Sequence, residues 1–213
     1  MNLSSRSIAE NASFSAFMNC YLREIDPGNW QLNKPSVNGV LYAEEAPWCV
    51  DLTLRDIKQR IRLYVSYRSL VGRHTITDVF TQSFRGNSDE NGLGWVQAEK
   101  LQVLISVIQN IYKDKKRAMQ VGWEGLEKLK FQETELLARL IDSYQLMAHY
   151  IESRKNDSSL TDLNFLKSEQ SSLYGHWMHP TPKSRQGMAF WQQSSYSPEL
   201  QGSFKLHYFS VDM

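Results

Sequence analysis

Between Gly175 and Gly187 the chain reads GHWMHPTPKSRQG, thirteen residues that hold His176, His179, Lys183 and Arg185 and no acidic side chain. Thr181 and Ser184 add hydroxyl donors to the same stretch. Lysine offers a mobile point charge and arginine a planar fork that can engage two phosphate oxygens, so the set suits a polyphosphate better than a single carboxylate. With no carboxylate in the stretch to neutralise its cations, it is expected to be a local anion receptor. Pro180 and Pro182 disfavour helix and push their preceding residues toward extended backbone, which predicts a stiff, extended turn over 179–185. Gly175 and Gly187 would let the chain bend sharply at either end. Rigid spacing of this kind lowers the entropy lost when donors converge on a ligand.

Other chemistries compete for the same residues. The histidines stand three apart and could ligate a metal, but no Cys, Asp or Glu in the stretch completes a shell. Ser184 lacks the G-x-S-x-G surroundings of an activated nucleophile and has no assigned base. A proline-rich surface turn whose cations simply face water is the plain structural alternative.

The elements that would carry this turn are legible from hydrophobic period. After a cap at Ser4 or Ser5, the residues Phe14, Phe17, Met18, Tyr21, Leu22 and Ile25 recur at helical spacing until Asp26-Pro27-Gly28. The period then drops to two. Trp48, Val50, Leu52 and Leu54 form one alternating set and Ile61, Leu63 and Val65 another, with further strands expected over 37–43 and 75–84. The polar, glycine-rich segment 85–94 reads as a loop. Leu101, Leu104, Ile105, Ile108 and Tyr112 mark a second helix, and Leu136, Leu140, Tyr144, Met147, Ala148 and Ile151 a third. Lys113, Lys115, Lys116 and Arg117 fit a solvated helix C-terminus, where cations are favoured. A shorter helix, capped by Ser159 or Thr161, is expected through Leu163, Leu166 and Leu173 to end near Tyr174. The fold class is therefore α+β: an N-terminal helix, a small antiparallel sheet, then helices, with the start of a further domain at the C-terminal end.

Composition narrows the functions that fit. The 213 residues carry 24 Lys and Arg against 23 Asp and Glu, a net charge of +1, which lacks the broad basic footprint of a nucleic-acid-binding protein. Any anion site must be local. Cys20 and Cys49 are the two cysteines, and charged residues interrupt the N-terminal helix. Neither a disulfide framework, a signal peptide nor a membrane segment is indicated, and the cytoplasm is the expected compartment.

GHWMHPTPKSRQGM resembles the signature G-H-x-x-H-P-x-x-K-x-R-x-G of the siderophore synthetases that act independently of nonribosomal peptide synthetases, the aerobactin-synthetase-like (IucA/IucC) family. Gly175, His176, His179, Pro180, Lys183, Arg185 and Gly187 all fall on its positions. The later segments YSPEL and LHYFSVD resemble the family's tyrosine-proline-glutamate segment and the strand after it. At the other end, FSAFMNCYLREIDPGNWQL is similar to the opening of the citrate-using branch, in which a helix ending in Leu-x-Arg-Glu precedes a tryptophan. The wording around the turn is similar to that of the petrobactin-type members, which join citrate to spermidine.

The resemblance implies siderophore biosynthesis by an ATP- and magnesium-dependent ligase that adenylates a carboxylate of citrate or a related acid and condenses it with an amine such as spermidine. It implies that His176, His179, Lys183 and Arg185 hold the ATP phosphates, and that Lys183 and Arg185 act as catalytic residues by stabilising charge as pyrophosphate departs. No magnesium ligand is assigned in this chain. Residues 1–174 would be an N-terminal, thumb-like α+β domain and 175–213 the beginning of an ATP-binding synthetase domain. Because the family's remaining site residues lie mostly beyond the motif, the chain is expected to hold part of an active site and to be inactive alone. The alternative is a non-catalytic phosphate- or nucleotide-binding module that pairs with another synthetase chain. An unpaired strand over 206–211 would favour association into a homo-oligomer.

Overall fold

The computed structural model describes residues 3–32, 46–84, 94–119, 122–157, 164–185 and 187–210. Helix α1 spans Ser5–Glu24, and the side chain of Ser4 accepts from the Ser7 backbone N–H as its N-cap, choosing between the two expected serines. One face of α1 buries Phe14, Phe17, Met18, Tyr21 and Leu22.

Five strands follow in a simple antiparallel meander, each paired with the next: β1 (Asn29–Leu32), β2 (Trp48–Leu54), β3 (Gln59–Tyr67), β4 (Thr75–Ser83) and β5 (Val96–Gln97). The period-two residues behave as expected. Val50 opposes Leu63 and Leu52 opposes Ile61 in the β2–β3 register, so four apolar side chains share one buried face. On the opposite face the same register sets Asp51 beside Arg62, which binds it through two hydrogen bonds of 2.7 Å. The expected strand over 75–84 is β4, whereas 37–43 and most of the 85–94 loop lie outside the described residues. Strands β1 and β5 carry too few residues to show a period, and both exist by pairing on an edge.

Helix α2 (Lys100–Met119) lays Val103, Leu104, Val107 and Ile108 on the same core as α1 and the sheet. Its basic end is exposed, and Arg117 pairs with Asp114 and Asp56. Helix α3 (Trp123–Ser153) runs for 31 residues and buries Met147 and Ile151 against Ala9 of α1. The described residues contain no helix long and apolar enough to cross a membrane.

The C-terminal part departs from expectation in three places. Helix α4 covers only Phe165–Gln170, capped by the side chain of Asn164, and ends four residues before Tyr174; Ser159 and Thr161 lie outside the described residues. An unforeseen helix, α5 (Phe190–Tyr196), follows the basic turn and leads into a 3₁₀ turn at Pro198–Leu200. Beyond Gly202, residues 203–210 form no strand, because no backbone hydrogen bond joins them to another described residue. Phe204, Leu206, Tyr208 and Phe209 are exposed there.

Candidate functional site

The basic turn is fixed on α3. Ser143, fully buried, accepts the Lys183 backbone N–H at 2.9 Å, and Asp142 accepts that of Arg185 at 3.0 Å. Arg154 lies ~11 residues past Ser143, about three turns, and so returns to the same helix face. Its Nη1 donates to the carbonyls of Gln170 (2.9 Å) and Glu199 (3.0 Å), tying the end of α4 and the 3₁₀ turn to α3. One helix thereby sets the positions of the turn, its entry and the segment that closes over it.

The turn itself is folded rather than extended. Each histidine closes a tight bend with its own ring: His176 Nδ1 accepts from Met178 N (3.3 Å) and His179 Nδ1 from Thr181 N (3.1 Å). Local side-chain acceptors of this kind compete with extended backbone and win here despite the prolines. Both glycines that bracket the turn take positive φ, +74° at Gly175 and +78° at Gly187. At Gly175 there is a second constraint, since a Cβ would stand 2.8 Å from the Pro182 Cβ and 3.0 Å from its carbonyl oxygen.

The expectation that no carboxylate neutralises the cations is overturned. Glu199, fourteen positions after Arg185, folds back so that its Oε1 accepts from Lys183 Nζ at 2.5 Å and from Arg185 Nη2 at 2.6 Å. Lys183 also donates to the Ser172 carbonyl at 2.5 Å, a group freed because α4 stops early. The Lys183 and Glu199 side chains are 5% and 4% exposed, against 36% for Arg185. Burial pushes the Glu199 carboxyl up, but the Lys183 hydrogen bond, a backbone hydrogen bond and the two cationic charges outweigh it and hold the group below its ordinary value. Oε2 of Glu199 is buried without a hydrogen-bond partner among the described residues.

The four expected residues therefore come together but divide in kind. Lys183 is interior, with its ammonium committed to protein oxygens, while His176, His179 and Arg185 reach solvent. Because both Nδ1 atoms accept hydrogen bonds, each neutral histidine carries its proton on Nε2, the nitrogen facing away from the bend. Two outward imidazole N–H groups and the unused N–H groups of Arg185 form a donor set that fits phosphate oxygens. Among the described residues no three His, Cys, Asp or Glu side chains gather to hold a metal ion.

Two contacts link the turn to the rest of the fold. Arg73 stacks on Trp177 with 3.5 Å between guanidinium carbon and ring centroid, and Arg23 Nη1 lies 3.3 Å from the Met178 sulfur. Glu199, Ser143, Asp142 and Arg154 were not among the expected site residues. Only Glu199 had a signal, its place in the YSPEL segment.

The chain is 34% identical over 211 residues to the spermidine-citrate ligase of Bacillus anthracis, covering 96% of this chain and 32% of that protein. It is 29% identical over 149 residues to the rhizobactin siderophore biosynthesis protein RhbC of Rhizobium meliloti, covering 68% of this chain and 22% of the relative. The chain thus spans about a third or less of the length of these relatives. Its fold is shared with the ATP-bound aerobactin synthetase IucA of Klebsiella pneumoniae at a TM-score of 0.65 and 16% identity, over 90% of this chain and 29% of that one. Residues 164–213, which include the whole basic turn and Glu199, match the model of the IucA / IucC family.

Proposed function

We propose that this chain forms the phosphate-binding wall of an ATP-dependent siderophore synthetase that joins a carboxylate of citrate or a related acid to an amine such as spermidine. The reading rests above all on one observation: His176, His179 and Arg185 present outward donors from a turn locked on α3 and braced by the buried Lys183–Glu199 pair. The similarity to a spermidine-citrate ligase supplies the acid and amine class, and the ATP-bound aerobactin synthetase with the same fold supports the nucleotide. Residues 1–174 serve as the N-terminal domain, and 175–213 open the ATP-binding one.

When bound, ATP would supply the adenylyl group that activates the acid; for the magnesium that the family resemblance implies, no cluster of three His, Cys, Asp or Glu side chains is present among the described residues. His176 and His179 orient phosphate oxygens through Nε2–H. Arg185 places positive charge where negative charge builds as pyrophosphate leaves. Lys183 acts at one remove: it fixes Glu199, which in turn aims the Arg185 guanidinium. A carboxylate nucleophile already lacks a proton, so none of these residues need serve as its general base.

Calorimetric titration of the chain with ATP tests this. ATP should bind, and Arg185→Ala should weaken binding by roughly tenfold, the value of one charge-assisted hydrogen bond. Absence of ATP binding, or equal binding by the variant, would count against the reading.

A further inference from the structure

An open cleft of about 1020 Å³ lies beside the basic turn, between the end of α1 and the β3–β4 connection. Its floor is aromatic: Trp30 of β1 and Trp48 of β2 are half-buried against the core. Across both rings lies the exposed guanidinium of Arg68, 4.5 Å from the Trp30 centroid and 5.1 Å from that of Trp48. Stacking an arginine on two rings holds its plane still while leaving its N–H edge free, which removes much of the entropy cost of a bidentate contact.

Among the described residues Arg68 pairs with no carboxylate, and no Asp or Glu lines the cleft. Arg23, whose Nε pairs with Glu24 at 3.1 Å, adds a second guanidinium, and the neutral ring of His74 lies 4.7 Å from that of Trp30. Apart from Ser69, the rest of the described lining is apolar. Leu70 and Val71 project from the β3–β4 connection at 105% and 72% exposure, an arrangement that leaves hydrocarbon in water unless something covers it.

We propose that this cleft is a receptor for a small monocarboxylate with a flat apolar body, the carboxylate on the fork of Arg68 and the body against the tryptophans and the Leu70–Val71 rim. Charge complementarity selects the anion, and the aromatic floor with its apolar rim selects the body. The site goes beyond the nucleotide reading and does not depend on it. It also adjoins the phosphate site, because Met178 of the basic turn lines the cleft and meets Arg23 there.

The test uses the chain without nucleotide and 1-naphthoate as probe, followed through the indole N–H signals of Trp30 and Trp48. The Trp30 indole is a sensitive reporter, since its Nε1 donates to the Pro27 carbonyl at 2.8 Å. Both signals should shift saturably. Arg68→Gln should weaken binding at least about tenfold, and Arg68→Lys, which keeps the charge and loses the fork, should also weaken it. If Arg68→Gln lowers the melting temperature, Arg68→Lys carries the comparison alone. Neutral 1-naphthamide should not bind. The proposal is overturned by absent shifts, by equal binding of the amide, by undiminished binding to Arg68→Lys, or by citrate binding the same residues more tightly than 1-naphthoate. Because no nucleotide is present, failure here leaves the phosphate reading standing, and failure of ATP binding leaves this one standing.

Discussion

The ammonium of Lys183 and the carboxylate of Glu199 meet at 2.5 Å with both side chains at or below 5% exposure, and Arg185 shares the same carboxylate oxygen. Removing one member of a buried pair strands the other charge in the interior. Glu199→Ala and Lys183→Ala should therefore each cost about 3–5 kcal/mol in urea unfolding. The double replacement Lys183→Met with Glu199→Leu should cost well below the sum of the two single changes, since neither charge is left unpaired. Additive losses would show that the two groups do not act as a pair.

Gly175 combines positive φ with a close approach to Pro182, so Gly175→Ala both strains the backbone and pushes a methyl into the turn. The expected loss is roughly 1–3 kcal/mol by denaturant unfolding. ATP affinity should fall with it, because the entry to the histidine bends moves. The contrast is Gly187→Ala: φ is positive there too, but nothing among the described residues lies within 4 Å of the added Cβ, so the cost should be smaller.

His74 gives the fold a pH dependence of predictable sign. Burial, followed by the charge of Arg68, lowers its pKa from the ordinary 6.5, and its Nδ1 accepts from the Ser69 N–H, which requires the neutral ring. Above pH 6.5 neither folded nor unfolded chain is protonated there, and the contribution is fully present. As pH falls through 6.5 the unfolded chain takes the proton first, so stability declines until the folded ring titrates. Urea midpoints measured from pH 7.5 to 5 should show this decline, and His74→Gln should flatten it. Glu199 acts lower: its contribution is intact above 4.5 and is lost as pH falls through its depressed folded pKa.

Much of the fold was legible because period reports burial directly. The pairs Val50 with Leu63 and Leu52 with Ile61 announce their strands, and Phe14, Phe17, Met18 and Tyr21 announce α1, since each has one face in a common core. The edge strands and α5 were not legible, for they are short and owe their existence to neighbours. At the site, residue types and spacing identified His176, His179, Lys183 and Arg185, but not their division into outward donors and an interior brace. That division depends on Glu199, Ser143 and Arg154. Ser143 and Arg154 are remote in sequence and are brought to the turn by α3, while Glu199 reaches it because the segment after α5 folds back.

In the proposed function His176, His179 and Arg185 meet phosphate. The most direct measurement is a titration of the chain with ATP, pyrophosphate and adenosine, followed through the ring signals of the two histidines and the guanidinium signal of Arg185. ATP and pyrophosphate should both shift all three, adenosine none, and the ATP shifts should weaken as salt is raised. Shifts by adenosine equal to those by ATP, or histidine signals unmoved by pyrophosphate, would contradict the account.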